Sequence, residues 1–180
     1  MTASGFVLAG GASSRMGRDK ALLPYHGTAL VDHVARAVRD AAGNVAIIGH
    51  PNGIPDLLPG LGPIGGLYTA LNITQTDWNL VVACDMPGIS ADPLRILLKR
   101  AEISDCDGVA ARSPGGTLEP LCAVYHRRCL PTVTRAIRDK RLKMLDLLSE
   151  LSVEAQPIDH ALLANANTPA EWAAFENESK

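Results

Sequence analysis

Short apolar runs alternate with helical stripes along the chain. Phe6-Val7-Leu8-Ala9 reads as a first strand, followed by a Gly/Ser loop. Val31, Val34, Val38 and Ala41 then recur at i, i+3, i+7 and i+10, one face of a helix. Val45-Ala46-Ile47-Ile48 and Leu80-Val81-Val82-Ala83 read as further strands, with a helical stripe of Leu94, Leu97, Leu98 and Ala101 after the second. Gly108-Val109-Ala110-Ala111 and Leu121-Cys122-Ala123-Val124-Tyr125 are two more strand candidates. Later helices carry Leu130, Val133 and Ile137, then Met144, Leu147, Leu148 and Leu151. Thr168-Pro169-Ala170-Glu171 has the Thr, Pro and Glu of a capping box and predicts a terminal helix.

Strands apolar on both faces, alternating with helices, predict a mostly parallel sheet covered on both sides. The expectation is a three-layer α/β/α Rossmann-like fold in a single domain spanning 1–180. The 49–66 stretch breaks this rhythm, with six Gly and four Pro in 18 positions. Apolar strands lie on both sides of it, so it reads as a long structured loop. In open α/β sheets ligands sit beyond the carboxyl ends of the strands, where such loops gather.

Composition narrows the class. With 180 residues, 47% of them hydrophobic, the chain fits one globular domain. A net charge of −2 does not suggest a nucleic-acid binder. Cys84, Cys106, Cys122 and Cys129 form no C-x-x-C pair, which argues against a zinc knuckle or a thioredoxin motif. No basic-then-apolar leader is visible and no apolar run approaches 18 residues, so a soluble, cytoplasmic protein without a membrane partner is expected.

The chemistry-bearing residues lie in separated motifs. The first strand runs into Leu8-Ala9-Gly10-Gly11-Ala12-Ser13-Ser14-Arg15-Met16-Gly17-Arg18-Asp19-Lys20. Small residues there let backbone N–H groups form an anion nest, and three cations add charge. It is neither a Walker loop nor G-x-G-x-x-G. Cys84-Asp85-Met86-Pro87 follows a strand directly, which points Asp85 into the crevice. Mg²⁺ favours one or two carboxylates completed by phosphate oxygens. Asp56, the second candidate carboxylate for a metal, precedes Gly62-Pro63-Ile64-Gly65-Gly66, where Pro63 suits a helix start and Gly65 and Gly66 would let that helix approach a ligand closely. Between Arg127 and Lys143 seven cations face one acid, Asp139, a local charge of about +6 by sequence that predicts an anionic acceptor site. Asn165-Ala166-Asn167-Thr168-Pro169 lies near the C-terminus. None of the five His reads as a general base.

L-A-G-G-x-S-S-R-M-G-x-D-K, C-D-M-P, G-P-I-G-G, E-P-L-C-A-V-Y and N-A-N-T-P, in that order, resemble the signature of the bacterial MobA family of molybdenum cofactor guanylyltransferases. The resemblance implies that Leu8, Ala9, Gly10 and Gly11 line the nucleotide, that Arg15 and Lys20 hold the triphosphate, and that Asp85 holds Mg²⁺. It also places Asp56, Gly62 and Gly65 at the nucleotide, and Asn165 and Asn167 near the pterin. GTP and molybdopterin would be the substrates. Residues 1–90 would bind mainly the nucleotide and 91–180 the acceptor, and molybdoenzymes or their chaperones would receive the product. Some members carry an Asn after the second strand where this chain has Ile48-Gly49-His50, so His50 or Asn52 is a candidate substitute. A cytidylyltransferase for the same cofactor, a sugar-phosphate nucleotidyltransferase and a non-catalytic escort protein are the alternatives. Gly66 argues against the first, since those enzymes usually carry Ser there.

Overall fold

A computed structural model describes residues 2–10 and 20–163, with only the backbone described at Lys20 and His160. The elements run in chain order as β1 (Ala3–Leu8), β2 (Pro24–Tyr25), β3 (Thr28–Ala29), α1 (Leu30–Ala42), β4 (Ala46–Ile48), α2 (Pro63–Ile73) and β5 (Trp78–Ala83). There follow α3 (Ala91–Glu102), β6 (Gly108–Arg112), β7 (Leu118–His126), α4 (Leu130–Arg138), α5 (Met144–Leu148), β8 (Val153–Pro157) and α6 (His160–Leu163).

Six strands form one sheet in the order β4-β1-β5-β7-β6-β8. β1 pairs in parallel with β4 and β5, and β6 with β8, while β7 is antiparallel to both of its neighbours. The sheet is therefore mostly parallel, as the uniformly apolar strands predict. Alternation survives inside those runs and sorts residues between two cores. Val7, Leu80, Val82, Val109 and Val124 pack beneath Val31, Val34 and Val38 of α1 and Leu94 and Leu97 of α3. Phe6, Val81, Ala110, Ala123 and Tyr125 meet Ile64, Leu67 and Leu71 of α2, Val133 of α4 and Leu147 of α5. Period-2 strands between period-3.6 helices give the three layers.

Three strands escape the apolar pattern. β8 alternates Val153-Glu154-Ala155-Gln156 at the sheet edge, half-covered, where polar residues are tolerated. β2 and β3 form a two-residue hairpin whose turn residues, His26 and Gly27, both have positive φ. The predicted helix at 144–151 stops at Leu148. The predicted helix at Thr168 lies outside the described residues. No helix among the described residues is long and apolar enough to cross a membrane.

Candidate active site

The carboxyl ends of β1, β4 and β5 meet at one edge of the sheet. Ala9 N–H donates to the Ile48 carbonyl (2.8 Å) and Cys84 N–H to the Leu8 carbonyl (3.1 Å), so all three strands end together. Gly10 and Gly49 then pass in backbone contact. A Cβ on Gly49 would lie 2.6 Å from Gly10 Cα, and Gly49 has φ of 78° besides. Only glycine satisfies both conditions. A Cβ on Gly10 would lie 2.9 Å from Asp56 Oδ2, so that carboxylate rests on the floor made by these two glycines.

Asp56 is held there by the loop. Gly49 N–H donates to the Ile54 carbonyl and Ile54 N–H to the Ile47 carbonyl, which folds residues 47–54 back on β4. Leu57 N–H donates to Thr69 Oγ1 (3.0 Å), and the Thr69 hydroxyl donates to the Gly65 carbonyl (2.9 Å). Thr69 is fully buried on α2 and fixes the residue after Asp56. Its role was not readable from sequence, because a Thr in an apolar helix carries no local signal. Asp56 Oδ1 is buried with no hydrogen-bond partner, and burial pushes its carboxyl above the usual range. A buried acceptor left unpaired is costly unless a ligand satisfies it. His50 accepts from Asn52 N–H through Nδ1 (3.2 Å), and its Nε2 is a second buried atom without a partner.

The G-P-I-G-G segment starts α2 with Gly62 at φ of 68° and Pro63 in the first turn. At Gly65 and Gly66 the space a side chain would take is filled by protein. A Cβ on Gly65 would lie 2.9 Å from the Leu58 carbonyl, and one on Gly66 3.0 Å from Leu8 Cδ1. Leu8 is itself 7% exposed and its side chain belongs to the core. Gly65 and Gly66 thus let α2 press onto the loop and β1. Among the described residues of the motif, Ala9 and Gly10 are more open than Leu8.

Asp85 follows β5 and borders a cleft of about 630 Å³, a volume suited to a small-molecule ligand. The buried side chains of Met86 and Ile89 anchor its turn, closed by Ile89 N–H donating to the Met86 carbonyl (3.2 Å). Pro63 of α2, Glu119 to Leu121 of β7 and Leu142 to Asp146 at the start of α5 complete the walls. Among the described residues no three His, Cys, Asp or Glu side chains converge as a metal cage. Mg²⁺ held by one carboxylate plus nucleotide oxygens needs no such cage, and Asp85 in an open cleft fits that requirement.

The basic segment divides. Arg128 is bound to Asp107 (2.8 Å) and Asp105 (3.6 Å), Arg135 to Glu150 (3.2 Å), Arg138 to Asp139 (3.0 Å), and Arg141 to both Asp139 (3.4 Å) and Glu150. Asp105, Asp107 and Glu150, which lie outside the counted window, neutralise half of the +6 counted along the sequence. Of the seven cations, Lys143 lines the cleft. Among the described residues, the expected basic rim is represented at this cleft by Lys143. Gly11, Arg15, Asn165, Asn167 and the side chain of Lys20 lie outside the described residues.

Residues 5–154 match the MobA-like NTP transferase domain family. A protein of Pelotomaculum thermopropionicum named "Probable molybdenum cofactor guanylyltransferase" is 34% identical over 188 residues, covering 95% of this chain and 90% of its own. A Bacillus subtilis protein of the same name is 33% identical over 192 residues, covering 96% and 94%. The crystal structure of molybdopterin-guanine dinucleotide biosynthesis protein A from Archaeoglobus fulgidus superposes with a TM-score of 0.84 at 25% identity, covering 98% of both chains. The glycine floor at the end of β1, the C-D-M-P carboxylate after β5 and this likeness over nearly the whole length agree: the chain belongs to the MobA-like NTP transferase domain family and is a nucleotidyltransferase.

Proposed function

We propose that the chain transfers GMP from Mg·GTP to the terminal phosphate of the molybdenum cofactor, molybdopterin, releasing pyrophosphate in the cytosol. The carrying observation is Asp56, a carboxylate with a buried oxygen that nothing satisfies, resting on Gly10 and Gly49. Guanine offers an N1–H and a 2-amino group side by side on one edge, and a carboxylate accepts both. Cytosine offers no such pair, so the same carboxylate disfavours CTP. The relatives' name supports guanylyl transfer in particular.

In this reading Ala9 and Gly10 bring backbone close to the nucleotide. Arg15 and Lys20 stabilise the charge that grows on pyrophosphate. Asp85 holds Mg²⁺, which would supply charge neutralisation on the phosphates. An acceptor phosphate oxygen attacks the α-phosphorus as the bond to pyrophosphate breaks, and Lys143 orients that acceptor. The acceptor is already anionic, so no side-chain base is required. Catalysis is then positioning and fixed charge. The half up to residue 90 serves mainly the nucleotide and the rest mainly the acceptor, with Asn165 and Asn167 beside the pterin. The product passes to molybdoenzymes or their chaperones. Incubation with the cofactor, Mg²⁺ and each of GTP, CTP, ATP and UTP tests the reading. Pyrophosphate release with GTP far above the other three supports it, and equal or greater release with CTP rejects it.

A further inference from the structure

We infer that His33 is a positioning residue for the metal carboxylate: its ring N–H, donated to the Pro87 carbonyl, fixes the turn that carries Asp85. The inference rests on the Mg²⁺ role proposed for Asp85 above. His33 stands on α1 between Val31 and Val34, both buried in the core, and is itself half-buried. Its ring is hydrogen-bonded to the backbone of Pro87. A proline has no N–H, so the carbonyl accepts and the imidazole donates. Pro87 is two residues past Asp85 in the same turn. The buried side chains of Met86 and Ile89 set the depth of that turn. Gly88 passes in backbone contact with α6, where a Cβ would overlap the Ala161 carbonyl. The bond from Ile89 N–H to the Met86 carbonyl closes the turn on itself without tying it to its surroundings. Apolar burial is non-directional, so it does not fix how the peptide after Pro87 is rotated. A hydrogen bond to the Pro87 carbonyl does.

The same ring ties this turn to the segment that follows the phosphate loop. After a helical turn at Lys20–Leu22 the chain forms the β2–β3 hairpin. Leu30 N–H donates to the Leu23 carbonyl (2.9 Å), which docks the hairpin on the start of α1. Tyr25 of β2 is buried and meets His33 in a T-shaped contact, with ring centroids 4.8 Å apart and planes at 75°. His26, in the hairpin turn, makes a second T-shaped contact with Tyr25 at 4.3 Å. Such edge-to-face rings hold one another's orientation. Direct contacts thus run from the hairpin through Tyr25 and His33 to Pro87 and the Asp85 turn. Burial holds the His33 imidazole below its usual range; the Pro87 bond pulls the other way, and the charges of His26 and Arg36 add to the lowering. His33 is therefore neutral at pH 7 and donates without setting a positive charge beside a cation site. Partners that orient a metal ligand from behind change metal affinity by about 10-fold to 100-fold.

The test uses the full chain and does not depend on turnover. In the metal-free protein, hydrogen exchange at the Ile89 amide reports the Asp85 turn. With GTP present, Mn²⁺ affinity measured by electron paramagnetic resonance reports the carboxylate that the turn carries. His33→Leu is expected to speed Ile89 exchange at least ~10-fold and to weaken Mn²⁺ at least ~5-fold. Asn places an amide donor near the position of Nδ1, and Gln near that of Nε2. One of His33→Asn and His33→Gln should therefore come within roughly 2-fold of the wild type, and the other should follow His33→Leu. Unchanged exchange and unchanged Mn²⁺ affinity in His33→Leu overturn the inference. Losses that neither amide variant recovers overturn it as well, since packing rather than the donated bond would then be at work. If His33→Leu does not fold, Asn and Gln variants that match each other overturn it. If Asp85→Asn binds Mn²⁺ as tightly as the wild type, the metal reading itself fails, whatever Ile89 exchange shows, and the inference falls with it.

Discussion

On the side of β1 and β4 the site is made of backbone, whereas on the side of β7 and α5 it is made of side chains. At the first, Gly10 and Gly49 touch, and the polar atoms Asp56 Oδ1 and His50 Nε2 are buried without partners. At the second, Arg128, Arg135, Arg138 and Arg141 are each bound to acids, and Asp107 also accepts from Ser152 N–H (3.0 Å). One region carries buried polar groups without partners, which cost folding stability. The other pairs four of its arginines with acids and sets Lys143 on the cleft. Counting charges therefore misjudges both: the glycine side holds unpaired polar groups that its few charges do not announce, and half of the basic segment's excess charge is neutralised within the fold.

The largest effect is expected where the two regions meet. Asp85→Asn should cut turnover by at least ~10²-fold, the scale of losing one electrostatic stabiliser, while the melting temperature stays near that of the wild type. Near-normal turnover in saturating Mg²⁺ would take Asp85 out of the metal site.

Asp56→Asn sharpens the contrast because function and stability should move in opposite directions. We expect kcat/KM for GTP to fall about 10-fold or more, the cost of one charge-assisted contact. Stability at neutral pH should rise. Burial raises the native carboxyl above its unfolded value, so the charge destabilises the fold increasingly as pH climbs through that raised pKa. Below the ordinary carboxyl pKa of about 3.9 both states are protonated, and the gain should vanish. Denaturant titrations at several pH values would show it, and a variant less stable at pH 7 would refute the unsatisfied-acceptor account.

Lys143→Ala tests the other region. The KM for the cofactor should rise about 5-fold to 10-fold with the KM for GTP unchanged, since one exposed cation facing a phosphate is lost. A rise confined to GTP would reverse the division of the cleft.

Asp107→Asn should leave both substrates alone and cost about 1–2 kcal/mol of stability, the roughly 1.5–3 kcal/mol of hydrogen bonds to a charged group reduced by solvent screening of a partly exposed carboxylate. The Ser152 N–H, then the Arg128 guanidinium, hold the Asp107 carboxyl below its usual range. That stability is present above the unfolded pKa of about 3.9 and is lost as pH falls through the depressed native value, so the gap to wild type should close in acid. Urea melts at pH 7 and near pH 3 measure it. The smallest effect is expected at Arg138, which is 74% exposed and pairs with its neighbour Asp139. Arg138→Ala should change stability by no more than about 0.5 kcal/mol and should not alter cofactor affinity in a salt titration.

The legible parts of the sequence were those where the physics is local. Continuous apolar runs marked β1, β5, β6 and β7, and period-3.6 spacing marked α1 and α3. The Gly/Pro loop and C-D-M-P announced the site because turns and carboxylates at strand ends leave a pattern in neighbouring residues. What stayed hidden depends on partners far along the chain. Glu150 and Asp107 neutralise the basic segment, Thr69 pins Leu57, and Gly65 and Gly66 make room for Leu58 and Leu8. β8 was missed because an edge strand need not be apolar, and the β2–β3 hairpin because two-residue strands have no measurable period.

The central claim is that the α-phosphorus of GTP is the atom transferred. It is tested most directly by incubating the protein, Mg²⁺ and the cofactor with GTP labelled at either the α- or the γ-phosphate. The account predicts that α-label enters the cofactor product one-for-one with pyrophosphate released, and that γ-label leaves wholly in pyrophosphate. Gamma-label in the cofactor, or α-label entering it more readily from CTP than from GTP, would contradict the account.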